Sequence, residues 1–205
     1  MNKQEFQSSQ TIINVCRAFL LESQNGARCK FVSEKCNEQN YCYLGELFKT
    51  TSNRCFAQSK VFYDQIESNM KDAGIEIEFA DVYPFRTANL AQDFLYTAQE
   101  AEIARDEIYP EYAEVAKQEG FKDIADKFEK MYQIKDYLYC TSNEIYKRMS
   151  NNKLYKSGHP VKWQCNNCGH AETKKQAWDK CPFCDFKQGH VIVKVEDEVE
   201  DHPEE

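Results

Sequence analysis

Ten cysteines stand in a chain of 205 residues, and four of them are spaced to hold a metal. The stretch WQCNNCGHAETKKQAWDKCPFC, from Trp163 to Cys184, contains C-x2-C, a twelve-residue spacer and a second C-x2-C. Each pair forms a tight knuckle that offers two thiolates to one ion, and two knuckles close a tetrahedron. Cys165, Cys168, Cys181 and Cys184 are therefore the predicted ligands, with Gly169 and Pro182 suited to the turns that such knuckles need. Iron in this cage would cycle between ferric and ferrous and carry an electron, whereas zinc would be redox-silent and structural. Spacing alone admits both. With four thiolates present, His159, His170 and His190 read as surface residues.

A second pattern concerns a charge. In FEKMYQIKDYL, Phe128 to Leu138, the residues Phe128, Met131 and Leu138 fall on one helical stripe that continues to Ile124, Ile145 and Met149. Lys135 sits in the middle of that stripe. An ammonium aimed at a core needs an acceptor there, or must snorkel outward along its stem.

Four stripes with steps of three and four residues must position these groups. The first runs through Ile12, Val15, Phe19, Glu22, Gly26, Cys29, Val32 and Cys36, and the second through Leu44, Phe48, Thr51, Cys55, Gln58, Phe62, Ile66 and Met70. The third runs through Leu90, Phe94, Ala98, Ala101, Ala104, Ile108, Tyr112 and Val115, and the fourth contains Lys135. Each predicts a helix with one inward face. Short links near Asn37–Asn40 and Gly120 make two antiparallel hairpins. The segment KDAGIEIEFADVYPFRT, broken by Gly74 and Pro84, is long enough to cross from one end of a bundle to the other. Pro110 predicts a kink in the third helix. Helix pairs joined by one long crossover describe a ferritin-like four-helix bundle.

The predicted organisation is a bundle over 1–150, a linker over 151–160, a small four-cysteine metal domain over 161–195 and a disordered acidic tail over 196–205. The net charge is −8, but the last ten residues hold seven acids and no Lys or Arg, so the body is nearly neutral. A near-neutral body gives no electrostatic case for nucleic acid or anionic membrane. No apolar leader opens the chain and no run reaches membrane-spanning length. Thiols in such a chain imply a cytoplasmic, reducing setting and metal chemistry, not a disulfide framework.

Together these residues resemble the rubrerythrin family, which joins a ferritin-like bundle to a C-terminal rubredoxin-like domain. The resemblance rests on CRAFLLES (Cys16 to Ser23), IYPEYAEVAKQEGFKDIADKF (Ile108 to Phe128) and the cysteine module. It covers nearly all of the chain before the acidic tail. It implies a di-iron carboxylate site that reduces hydrogen peroxide, fed by electrons through a rubredoxin-like iron. It also implies a homodimer, or a mixed dimer with an active family member, and a redox partner protein.

Position by position, most of the di-iron ligand set is replaced. The first-helix glutamate matches Glu22. The second-helix glutamate and histidine fall on Cys55 and Gln58, the third-helix glutamates on Ala101 and Ala104, and the fourth-helix pair on Lys135 and Leu138. The stripes agree, since they turn only one carboxylate inward, and two irons need on the order of six protein ligands. Lys135 is then expected to pair with Glu22, standing in for the lost metal charge, with Cys55 and Gln58 nearby.

The remaining cysteines, Cys16, Cys29, Cys36, Cys42, Cys55 and Cys140, read as buried small hydrophobes. Cys55, beside an ammonium, is also a candidate catalytic thiol. The leading expectation is a redox protein that transfers electrons through one iron in the four-cysteine site, with the di-iron site lost. The alternatives are a Cys55-based thiol peroxidase or oxidative-stress enzyme, and a non-catalytic scaffold with a structural zinc ribbon, or partner of an active rubrerythrin.

Overall fold

A computed structural model describes residues 3–70, 77–78 and 88–192 of the chain. The acidic tail and most of the crossover lie outside the described residues. Ahead of the first long helix stands a short one, α1 (Lys3–Gln7), that the stripes did not announce. Its Phe6 is fully buried and meets the ring of Phe121 edge-on at 5.4 Å.

Helix α2 (Gln10–Glu38) starts where the hydroxyl of Ser9 accepts the amide of Ile12. The carboxylate of Glu119 takes two further orphan donors, the amides of Gln10 and Thr11, at 2.9 and 2.8 Å. The helix ends at a turn in which Asn40 adopts φ 63°, and the Tyr41 amide reaches back to the carbonyl of Cys36. Helix α3 (Cys42–Asn69) then returns antiparallel. Small residues draw this hairpin together. Ser23 and Ser59 meet through their hydroxyls at 2.7 Å, and Ser52 and Ser33 donate to the carbonyls of Gly26 and Gly45.

The second hairpin begins at α4 (Leu90–Ile103), which Asn89 and Gln92 open with a capping box. A π-turn over Ala104–Ile108 follows, then α5 (Tyr109–Gln118) and α6 (Lys122–Ser150). Gly120, at φ 84°, makes the tight turn into α6.

The third stripe needs a correction at this π-turn. Spacing alone puts Ile108, Tyr112 and Val115 inward after Ala104, whereas the structure buries Tyr109, Ala113 and Ala116. The Tyr109 amide bonds to the carbonyl of Ala104, five residues back, so the inward face skips one position. Pro110 supplies the reason. Its ring would crowd the carbonyl four residues earlier in a plain α-helix, and the wider turn relieves that contact.

Two apolar clusters fill the bundle. One gathers Phe6, Val15, Phe62, Tyr109 and Phe128, the other Cys36, Phe48, Phe94 and Ile145. Glu22 and Lys135 fall between them along α2 and α6.

The segment read as a linker is partly strand, since β1 runs over Lys156–Cys165. It pairs antiparallel with β2 (Ala171–Gln176) and with the short β3 (Val191–Ile192), in the order β2-β1-β3. Trp163 is buried beneath this sheet, and its indole N–H donates to the carbonyl of Lys174 at 3.0 Å. The module is seated on the bundle. Tyr155 packs against both the bundle core and the core around Trp163, and Gly189 lies so close to the α2–α3 turn that a Cβ there would collide with the backbone carbonyl of Asn40.

Candidate functional site

The sulfurs of Cys165, Cys168, Cys181 and Cys184 all lie within 4.8 Å of one another. Two edges of the tetrahedron measure 3.8 Å (Cys165 to Cys184) and 3.7 Å (Cys168 to Cys181). Four ligands at a metal–sulfur distance of about 2.3 Å require edges of about 3.8 Å, so the cage fits a tetrahedral thiolate-bound ion. The donor set suits iron or zinc.

The two knuckles repeat one hydrogen-bond plan. In each, the amide of the first cysteine donates to the carbonyl five residues on, from Cys165 to His170 and from Cys181 to Phe186. The amide four residues on returns to the carbonyl of the first cysteine, from Gly169 to Cys165 and from Asp185 to Cys181, both at 2.9 Å. Gly169 and Asp185 sit at matching points with φ 79° and 60°. The first is the expected glycine. The second is an aspartate, one of the residues that tolerate the left-handed region. The Phe186 amide, together with the Asn167 side chain, donates to the Cys184 sulfur and brings its thiol down to about 6, although desolvation opposes this. Such donors hold negative charge on sulfur, which a metal ligand must carry. The His170 ring pairs with Glu172 at 3.2 Å and stacks on Phe183, so it is engaged outside the cage.

In the bundle, Lys135 is 1% exposed and its Nζ lies 2.5 Å from Oε2 of Glu22, itself 0% exposed. Among the described residues these are the two charged side chains in the buried core. The other carboxylate oxygen, Oε1, accepts the hydroxyl of Tyr109. Burial, first, and the neighbouring carboxylate then push the Tyr109 phenol well above its usual range, so it stays a donor. Glu22 thus has one ammonium and one phenol on its two oxygens.

The remaining positions named from the resemblance lie on α3, α4, the π-turn and α6. Ala101 and Ala104 are buried on α4 and the π-turn, and Leu138 on α6. Cys55 is buried, and it lines with Gln58 and Leu138 a surface pocket of about 280 Å³ between α3 and α6. The Cys29 thiol is pushed well above its usual range, its neighbour Cys55 and burial raising it against the Lys135 ammonium. Of the other thiols, Cys16 and Cys36 are buried as read, but Cys42 is half-buried and Cys140 exposed. Both lie off the inward stripes of their helices. Glu100, near the family's third-helix position, pairs with Arg28 instead of turning inward.

Sequence reasoning missed Tyr109, and the signal that could have found it was Pro110. A proline mid-helix marks a place where the register can slip by one residue, which is what carries the phenol to Glu22.

Among the described residues, the four cysteines are the one group of His, Cys, Asp or Glu side chains arranged to hold an ion. Bundle and cage together define a ferritin-like protein with a rubredoxin-like metal module. No family model matches the chain. Rubrerythrin from Clostridium perfringens is 26% identical over 185 residues, which cover 90% of this chain and 94% of that protein. Rubrerythrin-1 from Clostridium acetobutylicum is 25% identical over 188 residues, 92% and 96% of the two chains. Among solved structures, fully reduced, all-ferrous nigerythrin superposes with a TM-score of 0.59 at 16% identity, covering 95% of this chain and 94% of its own. Over nearly its whole length the chain is thus similar to rubrerythrins in sequence and to nigerythrin in fold.

Proposed function

We propose that this protein transfers electrons through a single iron in its four-cysteine site, and that its bundle has exchanged the di-iron centre for a fixed internal ion pair. One observation carries the reading. Among the described residues, the lone carboxylate of the bundle core is already saturated by Lys135 and Tyr109, while four sulfurs at tetrahedral spacing remain as a complete ligand set.

Iron bound there supplies a one-electron couple. The chain's part is to hold four sulfurs still through the paired knuckles and to direct the Phe186 amide at the Cys184 sulfur, which favours negative charge on that ligand. In the bundle, an ammonium at 2.5 Å replaces the positive charge that metal ions would bring.

The working assembly in this reading is a dimer, with a second copy or with an active family member, in a reducing cytoplasm. Within one chain the module abuts the α2–α3 turn, and α3 then runs thirteen residues from Cys42 to Cys55, about 20 Å. A second copy can bring a metal module nearer to the bundle's middle than the chain's own module lies.

Metal analysis and an absorption spectrum of protein purified without oxygen test the proposal. The expected result is about one iron per chain, with ferric-thiolate bands that bleach on reduction. Zinc in its place would overturn the electron-transfer reading, and close to three irons per chain would overturn the exchange of the di-iron centre.

A further inference from the structure

The junction of bundle and metal module carries a groove dominated by one sign of charge. Between the end of α6 and β1 lies a pocket of about 180 Å³, with Glu144, Arg148, Lys153, Lys156, His159 and Lys162 in its walls. Glu144 is its one acid, and Nε of Arg148 holds that carboxylate at 2.6 Å. Lys153, Lys156 and Lys162 are exposed, and among the described residues no carboxylate pairs with any of them. Ammonium groups gathered without a counter-charge repel one another, and an anion in the groove removes that cost.

The sheet points to where the anion comes from. Strand β1 lies between β2 and β3, but β3 covers only its last two residues, pairing Ile192 with Gln164 and Val191 with Cys165. From Lys156 to Trp163 that edge of β1 has no partner strand among the described residues. No residue of β2, which holds the other edge, borders the pocket. Because β3 runs antiparallel to β1, a chain that continues past Ile192 heads along this open edge. Ile192 to Glu196 is four steps, as is Gln164 to Pro160, and at about 3.3 Å a step both spans are about 13 Å. Pro160 stands between His159 and Val161, which line the pocket, so the first acid of the tail is within reach of it. The residues that follow, 196–205, hold seven acids and no Lys or Arg, and Lys194 alone carries the opposite sign ahead of them.

We propose that the acidic tail of this chain, residues 196–205, docks in the basic groove and ties the metal module to the end of the bundle. A single exposed ion pair contributes little, so the binding rests on several carboxylates meeting several ammoniums at once. Tethering by three residues beyond Ile192 supplies the rest, since a short link holds the acids at an effective concentration in the millimolar range. Held there, the tail spans from α6 to β1 and covers cations that an acidic partner would otherwise meet.

The proposal does not depend on which metal fills the four-cysteine site. Full-length protein with its metal bound is treated with a water-soluble carbodiimide, which joins a carboxylate to an amine it touches, and peptides are mapped by mass. Mixing isotopically heavy and light chains separates links within one copy from links between copies. The expected result is links within one chain from 196–205 to Lys153, Lys156 and Lys162, about fivefold or more above those to the exposed bundle lysines Lys30, Lys49 and Lys122. Salt at about 1 M, where the screening length is ~3 Å, should remove that excess. A triple variant, Lys153→Gln with Lys156→Gln and Lys162→Gln, changes only exposed side chains. In it the tail amides should take on the narrow NMR lines of a free chain end while the module's tryptophan emission stays unchanged. Links spread evenly over all exposed lysines overturn the proposal, as do links formed chiefly between copies. Tail amide lines that are the same in the parent chain and the triple variant overturn it as well.

Discussion

The bundle core and the four-cysteine module solve one electrostatic problem in opposite ways. Each gathers groups that carry negative charge, a carboxylate in one and four sulfurs in the other. In the bundle the compensating charge is covalently part of the chain, since Lys135 meets Glu22 in the interior. In the module the compensation must come from outside as a cation. In the proposed reading the bundle's pair is balanced at any metal concentration, whereas the stability of the module follows the free metal by mass action. Burial differs to match. The ion pair sits where water does not reach, while Cys168 and Cys184 are half-exposed at the edge of a small sheet where an ion can enter and leave.

Removing the cation should produce the largest effect and separate the two halves. A structural tetrahedral ion contributes on the order of 10 kcal/mol or more to a small domain. Both tryptophans, Trp163 and Trp178, lie in the module, so their emission reports on it alone. Chelation, or Cys165→Ser with Cys181→Ser, should red-shift that emission while far-UV dichroism keeps the helical signal. Helix lost together with the tryptophan signal would show that the bundle also leans on the metal.

A smaller effect is expected from the ion pair. Glu22→Gln or Lys135→Met alone strands a buried charge and should cost ~3–5 kcal/mol of unfolding free energy. Both together should cost markedly less than the sum of the two. A double-mutant cycle in denaturant reads this, and near-neutral, additive singles would break the comparison at its centre.

Tyr109→Phe sharpens it further at the lowest cost. A hydrogen bond to a charged acceptor contributes about 1.5–3 kcal/mol, and this substitution removes only that hydroxyl. Denaturant unfolding should show a loss in this range with the module's tryptophan emission unchanged. No loss would mean that Lys135 alone suffices for Glu22.

What could be read beforehand follows from the same physics. The cysteine knuckles are local, so spacing along the chain was enough to name all four sulfurs. The inward face of α6 was legible because three- and four-residue steps run unbroken from Ile124 to Ile145, which is why a lysine on it stood out. Tyr109 was not legible by that rule. Counting assumes a constant pitch, and the pitch changes at Ala104–Ile108. The start of β1 at Lys156 was hidden for another reason. Its first half is mostly exposed and has no apolar alternation to betray a strand.

The π-turn means that the third leg of the bundle contains one residue more than its reach requires. Five residues do there what four do in an ordinary turn, and the faces before and after remain aligned because the surplus is absorbed in one place. This makes the neighbourhood of Glu107, an exposed side chain, a site where the length of the gene product can change without scrambling the core. Removing one codon there, with Pro110 exchanged for a residue that fits a narrow turn, leaves Ala104 and Tyr109 on the same side of the helix. Removing a codon elsewhere in the leg would instead rotate one half by about 100° against the other. Tolerance to a shortened or lengthened chain is thus concentrated in a single turn, next to the residue that anchors the buried carboxylate.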